Sequence, residues 1–462
     1  MDFCNVRKWF PLLLLFVCSA GAAFAQTADV ASELLQLKQK VAEAQMAGDN
    51  AWVLTSAAFV LMMTAPGLML FYGGLVRSKN VLSIFVQCFY LMALVSILWL
   101  LFGYSLSFSK NNAFIGGFDY AFLKGVGGAP NTTYAATLPH QTFMFFQLMF
   151  AIITPCLMIG AFAERFRFKA LAVFMLFWMV VVYFPLAHMV WGEGGFLNAF
   201  VGPENGVKAL DFAGGTVVHI SSGISALVCA IYLGKRSGYP GPQFVPHNLV
   251  LSAIGAGLLW MGWFDFNAGS ALGSGALASA AFTSTHMSAA GATMTWLLAE
   301  WAFRGKPSLL GGISGAVAGL VAVTPAAGFV SPVSGLIIGL IAGLFCWFAC
   351  TKIKATFKYD DSLDVFGVHG MGGMLGAILT GVFATKDVNS ALGDTLGGVV
   401  DGNHGQVLNQ AIAVGITVAL SVVGTVVILF VVDKVIGAKA TVDEQEVGMD
   451  IADSGESAYH PA

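Results

Sequence analysis

Long apolar runs alternate with short polar connections along most of this chain. Eleven runs can be drawn, at about 52–75, 81–108, 141–163, 170–190, 212–233, 248–267, 278–302, 309–327, 332–351, 366–384 and 408–432. Each is close to 20 residues or longer. At roughly 1.5 Å per residue, that length crosses a hydrocarbon core of about 30 Å. The pattern predicts an all-α polytopic membrane protein with eleven transmembrane helices.

Two segments precede the first run. Residues 1–25 read as a cleaved signal peptide, with Arg7 and Lys8 at the positive end, an apolar stretch from Leu12 to Val17, and Ala23-Phe24-Ala25 as the small-residue cleavage site. Residues 26–50 are polar. Val30, Leu34, Leu37 and Val41 fall on one stripe, which predicts a short external helix for packing or oligomer contact. Residues 51–433 form the membrane domain and 434–462 a cytoplasmic tail.

Charge orients the spans. With the N-terminus outside, eleven crossings leave the C-terminus inside. The loops then placed inside carry Arg77, Lys79, Arg165, Arg167, Lys169, Lys235, Arg236, Arg304, Lys306, Lys352, Lys354, Lys358, Lys434 and Lys439. The outer segments carry Lys38, Lys40, Lys110, Lys124, Lys208 and Lys386. Fourteen against six is the bias of a positive-inside membrane protein. Glu300 lies four residues before Arg304, so an ion pair along one helix accounts for it.

Composition agrees. Only 10% of residues are charged and 57% are hydrophobic, with mean hydropathy +0.79, whereas a soluble domain carries about 25% charge. The 55 glycines suit helices that approach closely in lipid. A net charge of -3, with no basic arm, gives no case for nucleic acid. Cys88, Cys156, Cys229, Cys346 and Cys350 lie in apolar segments and form no metal-binding CxxC pair.

One stretch, Asp211 to Arg236, organises the rest. It opens on an acid that can cap a helix N-terminus and closes on Lys235 and Arg236, which suit a C-terminus. Between them His219 is the one ionisable side chain of its kind in an otherwise apolar, small-residue run. A histidine inside a membrane helix is a functional-site candidate. Val218-His219 with Gly223 is echoed by Val368-His369 with Gly373. Each histidine falls in the fifth span of a five-span set. Five is odd, so the second set is inverted relative to the first, and such repeats place sites at their midplane interface. The fold expected is two inverted five-helix halves plus one helix.

Other residues say less alone. Trp191 reads as an interfacial belt residue, and Phe146 and Phe150 as packing on one helix face. Phe266 precedes Asn267-Ala268-Gly269-Ser270, where the backbone can be approached closely. No HExxH, GxSxG or Walker sequence occurs. An intramembrane acid–base enzyme would need a nucleophile or metal cluster beside the histidines, and none accompanies them.

These residues together resemble the ammonium transporter (Amt/Mep/Rh) family, on its bacterial Amt branch. The likeness runs from about residue 50 to the C-terminus. It rests on Leu70 to Asn80, on Asp211 to Arg236, on Trp263-Phe-Asp-Phe-Asn-Ala-Gly-Ser270, on Arg304 to Leu310 and on Asp364-Val-Phe-Gly-Val-His-Gly370. The resemblance implies a pore through each subunit of a homotrimer in the inner membrane, with no cofactor, no metal and no enzymatic activity. It assigns Trp191, Phe150 and Ser270 to an outer site that recruits ammonium. Phe150 and Phe266 become a stacked gate, Phe146 a pore-mouth aromatic, and His219 and His369 twin pore histidines. Asp211 is the acid that supports the recruitment site.

Physical chemistry makes sense of those residue types. Ammonium and potassium share charge and size, but ammonium donates directed hydrogen bonds, which a hydroxyl such as Ser270 accepts. An aromatic face attracts a cation by roughly 0.5–2 kcal/mol. Stripping an ion of water costs, on Born estimates, on the order of tens of kcal/mol. An apolar bore therefore stops potassium, while ammonium can shed a proton and pass as ammonia. Burial disfavours charge on the histidines, leaving neutral imidazoles that can bond ammonia or relay a proton.

Asp265 departs from the family pattern, which carries glycine before the gate residue. It either faces the vestibule and strengthens cation capture or pairs elsewhere. The acidic stretch Asp443 to Asp450 resembles the family's cytoplasmic tail, which docks under neighbouring subunits. With the loop from Gly234 to His247, it implies a surface for a PII-type signalling protein. Three functions follow as expectations: net ammonium uptake, an ammonium sensor reporting through a PII protein, and an Rh-like gas channel. Trp191 and the complete Asp211–Arg236 signature count against the last.

Overall fold

The computed structural model describes residues 6–241 and 244–459. Among them there is no β-strand, only three isolated bridges. Nine helices are long and apolar enough to cross a membrane. In chain order the helices that matter are α1 (Trp9–Leu75), α2 (Ser78–Phe108), α3 (His140–Phe162), α4 (Phe168–Trp191), α5 (Gly215–Leu233), α6 (Leu249–Gly269), α7 (Ala276–Arg304), α8 (Leu309–Val323), α9 (Pro332–Phe357), α10 (Phe366–Phe383) and α11 (Gly405–Ile436). A short α12 (Val442–Val447) lies in the tail. All except α7 and α8 and the tail helix belong to the nine. Helix α7 has the length but more Ser and Thr, and α8 has 15 residues and ends just before Pro325.

The N-terminal segment differs from the short separate helix expected for residues 26–50. That stretch is helical, but it continues without a break into the first apolar run. Its stripe residues Val30, Leu34, Leu37 and Val41 are exposed, so they pack on nothing within the described residues. Tertiary contact begins at Asp49, whose carboxylate accepts from the Ser274 amide and hydroxyl at 2.9 and 3.0 Å. Of residues 1–25, expected as a signal peptide, residues 1–5 lie outside the described residues.

Polar groups at the helix ends fix the connections. Arg304 meets Glu300 at 3.0 Å, as the four-residue spacing predicts. The other Glu300 oxygen accepts from the Ser308 amide and hydroxyl, both at 2.8 Å. Ser308 in turn caps α8 through the Gly311 amide. At the basic end, Glu164 bridges Arg77 at 2.9 Å and Arg236 at 3.1 Å, and Arg236 also grips Asp360 at 2.8 Å. This buried network ties together four inter-helix connections, where one unpaired charge would be costly.

The tail docks on the same end. Asn80 accepts from the Met449 amide and Asp450 from the Ser83 amide, at 2.8 and 2.7 Å. Glu444 pairs with Arg167 at 2.9 Å, and Gln445 accepts from the Ser237 amide at 2.9 Å. The acidic stretch is therefore held against three basic connections and is not a freely solvated tail.

Candidate functional site: a pore between two cavities

Helices α5 and α10 cross through glycine. A Cβ built on Gly223 would stand 2.1 Å from the Gly370 nitrogen, and one on Gly373 would stand 3.1 Å from the His219 Cβ. Each histidine thus lies opposite the glycine of the other motif, and the sequence echo becomes a physical crossing. Both histidines sit in a π-helical turn, Gly215–Ile220 and Phe366–Gly370. Such turns are frequent at functional sites.

Carboxylates eight residues upstream hold those turns. Asp211 accepts from the Gly214, Gly215 and Thr216 amides at 2.6 to 2.8 Å and from Val217 at 3.3 Å. Asp361 accepts from the Val365 and Phe366 amides at 3.1 and 2.7 Å. Asp211 is therefore the expected cap, and its oxygens are occupied by backbone. Asp361 was missed in the sequence, although the repeated acid-to-histidine spacing marks it.

The outer cavity has a volume of about 320 Å³, and its wall includes Gln147, Phe150, Trp191, Asp211 and Ser270. The Trp191 indole N–H donates to the Asp211 carbonyl at 3.0 Å, which fixes the ring that faces Phe150 edge-on at 5.9 Å. The Ser270 hydroxyl donates to the Phe266 carbonyl at 2.9 Å, leaving its oxygen lone pairs as acceptors. Gln147 adds an amide that the sequence reading did not single out.

Below that cavity the rings of Phe150 and Phe266 lie 4.3 Å apart, both buried. Phe146 is not on the cavity wall. It is buried behind Phe150, edge-on at 5.0 Å, and fills the space over Gly269. Its expected place at the pore mouth is corrected to that of a support for the Phe150 ring. Asp265 turns away from the outer cavity and accepts from the Ser56 hydroxyl of α1 at 3.2 Å. The second of its two expected alternatives, pairing elsewhere, is the one observed.

His219 stacks on Trp263 at 5.3 Å and 22°, and Trp263 is itself anchored through its indole N–H to the Thr324 hydroxyl at 2.8 Å. The two histidines meet through their Nδ1 atoms at 3.3 Å. Two neutral rings make that bond only when one Nδ1 carries the proton and the other accepts it. Their Nε2 atoms then have opposite character, one donor and one acceptor. His219 Nε2 is buried and meets no protein partner among the described residues. His369 lines an inner cavity of about 230 Å³ that reaches Arg77, Glu164 and Lys354. Outer cavity, phenylalanine pair, histidine pair and inner cavity therefore follow in that order.

Comparison with known proteins places this arrangement. The sequence model of the Ammonium Transporter Family matches residues 51–459. An ammonium transporter of Bacillus subtilis is 47% identical over 89% of this chain and 98% of its own length. One of Aquifex aeolicus is 44% identical over 89% and 93%. Among solved structures, Saccharomyces cerevisiae Mep2 superposes with a TM-score of 0.78 at 34% identity, covering 86% of this chain and 88% of that one. A structure described as a sensor Amt protein gives 0.79 at 28% identity over 89% and 99%. The chain belongs to the ammonium transporter family.

Proposed function

We propose that this protein carries ammonium across a membrane by recruiting the cation outside, stripping its proton and passing ammonia. The carrying observation is the order of groups along the pore. A polar, aromatic cavity concentrates the cation, a buried phenylalanine pair bars it in hydrated form, and two hydrogen-bonded histidines receive the neutral molecule. Trp191, Phe150 and Ser270 bind ammonium, with Phe146 and Asp211 supporting them. Phe150 and Phe266 open by ring rotation. The proton crosses separately along His219 and His369. The chemistry is transport, with no bond made or broken beyond the N–H.

The same reading sets the protein in the inner membrane as eleven helices in two inverted halves plus one, N-terminus outside and C-terminus inside, after removal of residues 1–25. The assembly is a homotrimer. Support comes from α6 and α7, where His286 and Met287 are exposed midway along the helix and the Trp260 N–H is buried without a partner among the described residues. A histidine facing lipid is expensive, so a second copy covers this face. The docked tail and the loop from Gly234 to His247 form the surface for a PII-type protein.

A second reading, an ammonium sensor signalling through that partner, is favoured by the tail's contacts with three connections. It also has a relative described as a sensor. Currents on liposomes carrying the purified protein separate the two. An ammonium-specific current, absent with potassium, supports transport with a proton path. Internal alkalinisation without current supports electroneutral ammonia passage. Neither signal from folded protein would leave the sensor.

A further inference from the structure

The outer part of α1 carries an apolar stripe that no other described residue covers. Val30, Leu34, Leu37 and Val41 are exposed, and Ala44 continues the series. The helix runs without a break through this stretch into the first span, so the stripe cannot lie down on a membrane surface. At about 1.5 Å per residue, Val30 stands roughly 28 Å beyond Asp49, where tertiary contact begins. Whatever covers the stripe must project from the membrane at the same place. The same helix of a second copy does so.

The steps along the stripe are four, three, four and three residues, a seven-residue period. Among the large apolar residues from 26 to 50, only Leu35 and Met46 fall elsewhere. A seam at this period follows another helix in a left-handed supercoil, whereas a stripe turned to a globular core is wider. Charge specifies the partner and its direction. On this register Glu33 and Lys38 flank the seam on opposite sides, five residues apart. Residues at that spacing do not face each other on one helix. Neither has an ion-pair partner among the described residues. In a parallel neighbour of the same sequence, Glu33 stands opposite Lys38. On the face away from the seam, Gln39 and Glu43 already bond each other at 2.9 Å. The unmet complementarity therefore exists only between copies.

We propose that residues 27–44 of neighbouring copies wind into a parallel coiled coil above the outer face, an inference that rests on the homotrimer read above. The root of this coil is tied to the outer site. Asp49 holds Ser274, Asn50 accepts from the Thr142 hydroxyl at 2.7 Å, and the Trp52 N–H donates to the Ala268 carbonyl at 3.3 Å. Ala268 and Ser274 bracket Ser270 of the outer cavity, and Thr142 lies in the first turn of α3, the helix that carries Phe150. The coil thus couples each subunit's outer cavity to the assembly.

The test is disulfide cross-linking of the full chain in membranes with copper–phenanthroline and air, beside native mass spectrometry of the assembly. Leu37→Cys, on the seam, is expected to give a covalent dimer. Gln39→Cys, on the opposite face, is expected to give no more than the unsubstituted chain. Adding Glu33→Lys to Leu37→Cys is expected to lower the dimer yield by up to about fivefold per pair, and Lys38→Glu to restore it. Equal cross-linking at positions 37 and 39 overturns the proposal, since the segments would then collide at random. An unchanged yield with Glu33→Lys overturns the parallel register. A trimer without the Leu37→Cys dimer overturns the coiled coil and leaves the homotrimer, whereas monomeric chains overturn both. A Leu37→Cys thiol that forms no dimer yet is shielded from a water-soluble maleimide overturns it too, since the membrane or a different protein would then cover the stripe.

Discussion

Gly223 lies against the backbone of Gly370, so closely that a Cβ would stand 2.1 Å from the Gly370 nitrogen. The neighbour is main chain and cannot rotate away. Overpacking of this kind costs about 1–3 kcal/mol. Gly223→Val is expected to lower the melting temperature in detergent and to abolish ammonium flux in the protein that still folds. A variant with normal flux would mean that the crossing does not set the histidine pair.

Asp361 offers a pH test because it lies outside the spans. Burial pushes its carboxyl up to about 6, with Lys354 opposing and Asp364 adding to the shift. The folded chain therefore holds this proton more tightly than the unfolded chain does. Its contribution to stability is complete below the ordinary carboxyl value of 3.8 and is lost as pH rises through about 6. Thermal melts of the wild type should fall across that window, and those of Asp361→Asn should fall less. Parallel curves would show that the group does not titrate there.

Asp211 acts through α5. Removing a capping carboxylate costs typically about 1 kcal/mol, and here it also frees the segment whose carbonyl holds Trp191. Asp211→Ala should weaken ammonium binding as well as stability, while Trp191→Leu should weaken binding about 2- to 30-fold with stability nearly unchanged. Ammonium titrations of flux beside melting curves distinguish the two. Equal effects of both variants on stability would remove the difference in role.

His219→Ala should abolish ammonium-specific flux, because the Nδ1 bond to His369 and the buried Nε2 both vanish. Reconstituted flux with ammonium and with potassium reads this directly. Unchanged flux and selectivity would take the histidines out of the mechanism.

Asp265 should behave as a structural residue. Its oxygen accepts from Ser56 and its side chain is absent from the cavity wall. Asp265→Asn should leave the half-saturating ammonium concentration within about twofold and change stability by about 1 kcal/mol. A large loss of ammonium affinity would return it to the vestibule.

Much of the site could be read in one dimension. The spans follow from apolar length, the orientation expected of them from lysine and arginine, and the Asp211 cap from an acid at the head of an apolar run. Glu300 and Arg304 paired as their spacing requires. The family motifs brought Trp191, Phe150, Phe266, Ser270 and both histidines into view, and the structure sets them around one path. Each of these signals is local, carried by periodicity, charge or a short motif.

What the sequence by itself determined was therefore which segments are long apolar helices and which polar residues sit inside them. Tertiary structure alone decided which way each residue faces. Phe146 and Phe150 share one helix face, yet only Phe150 reaches the cavity, because Phe146 fills the space over Gly269. Asp265 could have faced either way until Ser56 of α1 lay beside it. Asp361 became a cap, and the N-terminal segment became one helix with the first span, through contacts and continuity that no pattern of apolar positions encodes. The physical reason is that close backbone approach at small residues sets the rotation of each helix. Gly223 against Gly370 turns His219 and His369 to within 3.3 Å of each other.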